Sequence, residues 1–300
     1  MNETDVTLNS ASFMSPPGDV NTSEVSTSRE GGSRVAVSRE PVGRALDVLS
    51  WIADHRSDPL VVRQIARDLD TTPSTIHRIF GTFQDRGLIA RGEHDEYIAG
   101  LELYRICASI ASELSPARIA HSHLQRLSRE CDETTLFGMY DAGRGQMMFI
   151  DRVEALHPLR YVVGMHRWIP VHSGATGQAI LAFLPEAERR RIYAMGLEAR
   201  TPETIVAVDD LEAELERVRQ RGYAHSVGQR TPGAVGFGAP VFDSAGTVCG
   251  DVCVTMPQYR YQEGKNADSI GSALLEASHR VTEDLQAVGY HAPTHGDLSE

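Results

Sequence analysis

The stretch Ile65-Ala-Arg-Asp-Leu-Asp-Thr-Thr-Pro-Ser-Thr-Ile-His-Arg-Ile-Phe-Gly-Thr-Phe-Gln-Asp-Arg-Gly-Leu-Ile-Ala-Arg91 decides how the rest of the chain is read. It predicts two helices joined by a tight corner, then a strand. Thr72 suits an N-cap, and Pro73 suits the first helical turn, where its missing N–H would have no partner anyway. From there Ile76, Ile79, Phe80 and Phe83 fall at i, i+3, i+4 and i+7, one apolar stripe that must pack on something. The opposite face carries Ser74, Arg78 and Gly81, flanked by Thr75, His77 and Thr82, and meets an acid only at Asp85. A helix buried on one side, with small polar residues and an arginine near its start on the other, can lie in a DNA major groove. Arginine can bond a guanine edge through two hydrogen bonds, and serine or threonine can bond bases or phosphates.

The same spacing also suits an ordinary helical hairpin, so the flanks carry the decision. Ahead lies Leu60–Leu69, with Leu60, Ile65, Ala66 and Leu69 as its apolar set, and Asp70-Thr71-Thr72 forms the corner. Behind, Gly87 ends the helix and Leu88–Arg91 is extended; after a polar turn at 92–96, Tyr97-Ile98-Ala99 returns as a second strand. Helix, corner, helix and two-stranded wing make a winged helix-turn-helix. Its candidate DNA contacts are Arg44, Thr72, Ser74, Thr75, His77, Arg78, Thr82 and, in the wing, Arg91.

At these residues the chain resembles the N-terminal domain of IclR-type transcriptional regulators. The quoted stretch and the later Tyr97-Ile-Ala-Gly100 carry that likeness. A second block resembles the family's effector-domain signature: Pro170-Val-His-Ser-Gly-Ala-Thr-Gly-Gln-Ala-Ile-Leu-Ala182. So do Arg221-Gly222-Tyr223 and Gly238-Ala-Pro-Val-Phe242, and the ordered blocks span about Val42 to Gly289.

At 300 residues the chain can hold two domains with their own cores. No apolar run reaches the roughly 20 residues needed to span a bilayer, and the N-terminus has neither a basic start nor an apolar segment. Cys107, Cys131, Cys249 and Cys253 are scattered in apolar surroundings, which argues against a disulfide framework and for a reducing, cytoplasmic setting. The net charge is −12, but what matters for DNA is the local balance. Arg44, Arg63, Arg67, Arg78, Arg86 and Arg91 face Asp54, Asp58, Asp68, Asp70 and Asp85, so the first domain is balanced and must rely on specific contacts made by a dimer. Lys265 is the only lysine; the other basic residues are arginines, which suit bidentate contacts.

Residues 1–38 are rich in Ser, Thr, Asn, Gly and Glu and are expected to be a disordered tail. The winged helix-turn-helix spans 39–100, opening with an amphipathic helix at Val42–Asp54. Residues 101–116 hold a second amphipathic helix, Leu101–Leu114, which the resemblance makes a linker packed between subunits. Residues 117–289 mix periods. Helices are expected at Ala117–Cys131, Gly177–Leu184, Asp209–Arg221 and Gly264–Val288. Strands are expected at Thr135–Tyr140, Gln146–Val153, Leu159–Val163, Tyr223–Val227, Gly236–Phe242 and Thr247–Met256. Consecutive hairpins with segregated helices imply an α+β domain on an antiparallel sheet, which the resemblance makes a GAF- or PAS-like sheet with a ligand cavity. Residues 290–300 form a C-terminal tail.

Cys249 and Cys253, four apart on a strand, are expected to share a face, yet no histidine or C-x-x-C accompanies them, and no metal or other cofactor is expected. His172 beside Ser173 suggests a nucleophile and base, but a strand–G-x-S-x-G–helix arrangement is lacking. The small-residue run Ser173–Gly177, read as a loop ahead of a helix, better suits an anion held by backbone N–H groups. By resemblance, the effector cavity is lined by Tyr161, Ala175, Thr176, Ser226, Val227, Gly236, Cys253 and Thr255. The chain departs from the family after the Gly-Tyr strand. Acidic residues are usual there, and this chain has Ser226-Val-Gly-Gln-Arg230, which should favour an anionic ligand. The resulting expectation is a ligand-responsive regulator, not an enzyme. It binds double-stranded operator DNA as a homodimer or dimer of dimers, senses a small organic acid and has no membrane association. An enzyme acting on a small carboxylate and a protein-binding structural module are the alternatives.

Overall fold

The structure, a computed structural model, describes residues 38, 40–55, 60–93, 96–112, 115–157, 163–262 and 267–293, with the backbone alone at 111 and 112. The expected N-terminal tail falls outside these residues except Ser38, as do Tyr161 and all of the expected strand Leu159–Val163 except Val163, which is not in a strand. Of the expected C-terminal tail 290–293 are described, and Tyr290 and Ala292 pack on the core instead of trailing free.

Three helices open the described chain: α1 (Pro41–Asp54), α2 (Val62–Asp68) and α3 (Pro73–Asp85). Strands β1 (Ile89–Arg91) and β2 (Tyr97–Ala99) pair antiparallel, Ile89 opposite Ala99 and Arg91 opposite Tyr97. The apolar stripes meet as predicted. Val48, Trp51 and Ile52 of α1, Ile65 and Ala66 of α2, and Ile76, Ile79, Phe80 and Phe83 of α3 form one buried cluster with Ile89. Trp51 Nε1 donates to Asp68 Oδ2 at 3.1 Å, fastening α1 to α2. The corner turns at Asp70, whose φ of 43° lies in the left-handed region that aspartate tolerates better than most residues.

Helix α4 (Leu101–Ser112) follows, then α5 (Pro116–Cys131), β3 (Thr134–Asp141), β4 (Gln146–Val153) and the two-residue strand β5 (Ile169–Pro170). Three helices come next, α6 (Gly174–Leu181), α7 (Glu186–Ala194) and α8 (Val208–Arg221), and then β6 (Ala224–Val227), β7 (Ala234–Phe242), β8 (Val248–Pro257) and α9 (Ala267–Ala287). The six strands form one antiparallel sheet in the order β5-β4-β3-β8-β7-β6. One face packs on α6, α7 and α8 around Leu136, Phe149, Ile180 and Leu215. The other packs on α5 and α9 around Leu124, Phe237, Val252 and Leu274.

Three expectations need correction. The run read as a loop before a helix at Gly177 is already helix, because α6 starts at Gly174. All eight of its residues are buried, so it has no polar face from which its start could be read. Gly177 sits against the preceding backbone, where a Cβ would stand 2.3 Å from the Val171 carbonyl oxygen. Second, α7 and β5 were not foreseen. Of the nine residues of α7 only Ile192 is buried, and the helix is laced by Arg191–Glu188 and Arg190–Glu186 ion pairs instead of an apolar stripe. Third, Cys249 and Cys253 do not share a face. Phe242 pairs with Val248 and Val241 with Gly250, so Cys249 is an extra, bulged residue that resets the alternation. Cys249 packs on the α5–α9 side and Cys253 on the α6 side.

Candidate functional site

The outer face of α3 starts from its cap. Thr72 Oγ1 accepts from the Thr75 N–H at 3.3 Å and lies 2.9 Å from both Ser74 Oγ and Thr75 Oγ1. Thr82 Oγ1 donates back to the Arg78 carbonyl oxygen at 3.2 Å. These hydroxyls are therefore partly committed to holding the helix, and Thr75 is only half exposed. The long side chains presented from this face are those of His77 and Arg78, both exposed. In the wing, Arg91 lies 3.8 Å over the Tyr97 ring and donates to its hydroxyl at 2.7 Å, which fixes the guanidinium on one side of the strand pair. Tyr97 in turn meets Phe80 edge to face, with ring centroids 4.6 Å apart, so the wing is keyed to the core of α3. Arg44 stands apart on α1, half-buried, its Nε donating to the Ser38 carbonyl oxygen at 3.2 Å.

The second cluster forms where α6 lies on the sheet. Register puts Ser226, Gly236 and Thr255 side by side on β6, β7 and β8, with Cys253 and Asp251 following on the same face of β8. Ser226 Oγ accepts from the Ala175 N–H at 2.9 Å, and Thr176 Oγ1 donates to Asp251 Oδ2 at 3.0 Å. The structure thus brings together Ala175, Thr176, Ser226, Gly236, Cys253 and Thr255. It does not bring Val227 with them. Neighbouring Ser226 on a strand, Val227 points to the opposite face and packs on the α5–α9 side.

Asp251 was missed by sequence reasoning, although a lone carboxyl inside the run Val248–Met256 was a visible signal. It is wholly buried, Oδ2 is bonded to Thr176 and Oδ1 has no hydrogen-bond partner. Burial pushes its carboxyl up to about 8, against the opposing pull of the Thr176 hydrogen bond and the Arg230 charge. Burial, with the Asp251 charge adding to it, also pushes the Cys253 thiol up to about 12. Arg230 lies across the start of α6: a Cβ on Gly174 would be 3.2 Å from the Arg230 Cβ, and the guanidinium carbon is 5.6 Å from the Phe149 ring centre. The adjoining Gln229 is tied to α6, its Oε1 accepting from Gln178 Nε2 at 2.7 Å. His172 and Ser173 do not form a dyad. His172 Nε2 bonds the Glu198 carbonyl oxygen at 2.9 Å, and Ser173 Oγ is buried with no hydrogen-bond partner.

A winged helix-turn-helix followed by an α+β domain with such a cluster defines a DNA-binding regulator with a ligand-binding domain. Residues 41–93 match the IclR helix-turn-helix domain, and residues 108–283 match the bacterial transcriptional regulator IclR C-terminal domain. The chain belongs to the IclR family of transcriptional regulators. It is 30% identical over 267 residues to the HTH-type transcriptional regulator Rv1719 of Mycobacterium tuberculosis, covering 87% of this chain and 98% of that one. Among solved structures, an IclR transcriptional regulator from Alicyclobacillus acidocaldarius superposes with a TM-score of 0.73 at 23% identity, covering 81% of this chain and 98% of that one. An IclR homologue from Microbacterium hydrocarbonoxydans, solved in complex with 4-hydroxybenzoate, gives a TM-score of 0.71 at 20% identity, covering 83% and 100%. Among the described residues no helix is long and apolar enough to cross a membrane.

Proposed function

We propose that this regulator acts in the cytoplasm as a homodimer or dimer of dimers on a near-palindromic operator and is switched by a small organic acid. In this reading residues 39–100 are the DNA-binding domain, 101–116 the linker and 117–289 the effector domain. The observation that carries the DNA half is the outer face of α3. His77 and Arg78 extend from it with no acid before Asp85, while the inner face is wholly spent on the core. Arg78 reads a base edge, Ser74, Thr75 and Thr82 add hydroxyl contacts from the same helix, and Arg91 meets the backbone beside the groove. Thr72 acts chiefly as the cap, and Arg44 touches backbone from α1. Dimerisation is supported by α4, on which Tyr104 and Ile110 are each 73% exposed with the exposed Cys107 between them, an apolar surface that a second copy would cover.

The effector half rests on the cluster at α6. The positive end of α6, whose Ala175 N–H already holds Ser226 Oγ, and the Arg230 guanidinium suit a carboxylate, and Ser226, Thr255 and Cys253 border the ligand body. The relative solved with 4-hydroxybenzoate supports the same class. An enzyme is disfavoured because His172 Nε2 is spent on the Glu198 carbonyl oxygen and Ser173 Oγ lies buried with no base bonded to it. Footprinting on the DNA upstream of the gene, with and without candidate acids, tests both halves together. A thermal-shift screen adds the ligand. An acid at one hundred times its dissociation constant should stabilise by about 2.7 kcal/mol, or several degrees at about 2–4 °C per kcal/mol. Ligand recovered unchanged supports the sensor, and turnover would replace it with an enzyme. Stabilisation by neutral compounds alone would remove the carboxylate.

A further inference from the structure

A buried carboxyl with one oxygen bonded and the other idle is costly unless something else uses it. Asp251 is such a group, and its surroundings say what could. Its Oδ2 is held by Thr176 in the first turn of α6, at the helix end assigned to the ligand's carboxylate. Its Oδ1 is turned toward β3, where the paired residue is Gly138: a Cβ there would stand 2.3 Å from Oδ1 and 2.3 Å from the Met147 methyl carbon. The absence of a side chain at Gly138 is thus what lets the carboxyl lie flat on the sheet, and the neighbour that can yield is the end of an unbranched, flexible methionine. The other surroundings on this face, Leu136, Phe149, Ala179 and Cys253, are apolar or weakly polar and give Oδ1 no partner.

We propose that the ligand is a hydroxylated organic acid, its carboxylate at the start of α6 beside Arg230 and its hydroxyl hydrogen-bonded to Asp251 Oδ1. This rests on the acid-sensing reading above and narrows it. A hydroxyl fits better than an amine for two reasons. It both donates and accepts, so it satisfies Oδ1 whether or not the carboxyl carries a proton. An ammonium would bring a buried cation into a site that already holds the field of Arg230. Asp251 then selects against the acid that lacks the hydroxyl, because that acid leaves the buried oxygen unpaired.

The test uses the full-length protein and pairs of acids that differ by one hydroxyl: 4-hydroxybenzoate with benzoate, lactate with propionate, 3-hydroxybutyrate with butyrate. Calorimetric titration should find a pair in which the hydroxylated member binds about ten- to one-hundredfold tighter, and Asp251→Ala should bring that ratio close to one. A ratio near one in the wild type for every pair that binds, or a ratio that survives Asp251→Ala, overturns the inference while leaving acid sensing intact. Failure of every acid to bind removes the acid-sensing reading and this inference with it. Should Asp251→Ala not fold, difference infrared spectroscopy on the wild type replaces it, with Asp251→Asn as the control that assigns the carboxyl band. The band must move with the hydroxylated acid and stay with its partner; movement with both, or with neither, overturns the assignment.

Discussion

The two helices at the heart of the two sites are built in opposite ways. Of the thirteen residues of α3, four are buried, on one stripe, and the remaining faces meet solvent or the helix's own cap. All eight residues of α6 are buried, and its polar groups turn inward, the Ala175 N–H to Ser226, Thr176 to Asp251 and Gln178 to Gln229. A helix of the first kind is fixed from behind and free in front, so it can enter a groove as a rigid body. A helix of the second kind cannot meet a macromolecule at all; it can only respond to something small enough to come between it and the sheet. The division between DNA reading and ligand sensing is written in that difference of burial.

The contrast breaks most visibly at Phe80, which is 0% exposed and meets Tyr97 edge to face. Phe80→Ala should destabilise the first domain by about 3–5 kcal/mol through the cavity it leaves. The melting of the α+β domain should stay where it was, and DNA binding should fail because α3 and the wing lose their backing. A Phe80→Ala protein with unchanged melting would mean that the stripe is not the buried face and that α3 is turned over.

The corresponding change in α6 adds atoms instead of removing them. A methyl at Gly177 would meet the Val171 carbonyl oxygen at 2.3 Å, and backbone cannot step aside as a flexible side chain would. Gly177→Ala should cost about 1–3 kcal/mol by overpacking and should weaken ligand response while sparing DNA affinity. Denaturant unfolding followed by far-ultraviolet dichroism measures the loss; a neutral substitution would show that α6 sits less tightly on the chain before it.

These two positions also explain what was legible beforehand. The helix-turn-helix could be read from Ile76, Ile79, Phe80 and Phe83 because a half-buried helix writes a period of 3.6 into its sequence. The central strands could be read because apolar runs and the turn at Asp243–Gly246 mark them. Nothing comparable announced where α6 starts: a helix buried all round has no polar face, and the small residues of its first turn resemble a loop. α7 was missed for the converse reason, since it buries almost nothing. The bulge at Cys249 was invisible because one extra residue inside an apolar run changes no pattern, yet it sends two cysteines to opposite faces. Val227 was placed by family likeness without regard to alternation, which sends it away from Ser226.

The outward face of α3 can be sharpened by two substitutions of unequal effect. Arg78→Ala should cost about 1–3 kcal/mol of specific operator binding and relax preference at one base position. Arg91 is already stacked on Tyr97, so its guanidinium is held in place and its contribution should be to the phosphates. Arg91→Ala should weaken all sequences alike and reduce the salt slope by about one unit. Gel-shift titrations at several salt concentrations separate the two. If Arg78→Ala keeps both affinity and base preference, α3 does not read the groove.

At Asp251 the contrast between the two helices appears only as a dependence on pH. Its carboxyl is raised from an ordinary 3.8 to about 8 in the folded chain, chiefly by burial. The folded state therefore keeps a proton that the unfolded chain releases, and between about pH 4 and 8 each rise in pH favours unfolding. The contribution to stability is complete below the unfolded value and is lost as pH climbs through the folded one. The groups facing the carboxyl do not disturb that window: Thr176 does not titrate, Arg230 stays charged, and the Cys253 thiol is pushed up to about 12. Asp251→Asn has no such proton. Its melting temperature relative to wild type should rise between pH 5 and 8 and level off above; at about 1.4 kcal/mol per pH unit and about 2–4 °C per kcal/mol the rise is on the order of 10 °C. No such term arises on α3, whose buried residues are all apolar, so Phe80→Ala should shift melting by the same amount at every pH in that range. Parallel pH profiles for Asp251→Asn and wild type would show that Asp251 ionises with the ease of an exposed carboxylate. The closed packing of α6 on the sheet would then have to be abandoned for one that admits water beneath its first turn.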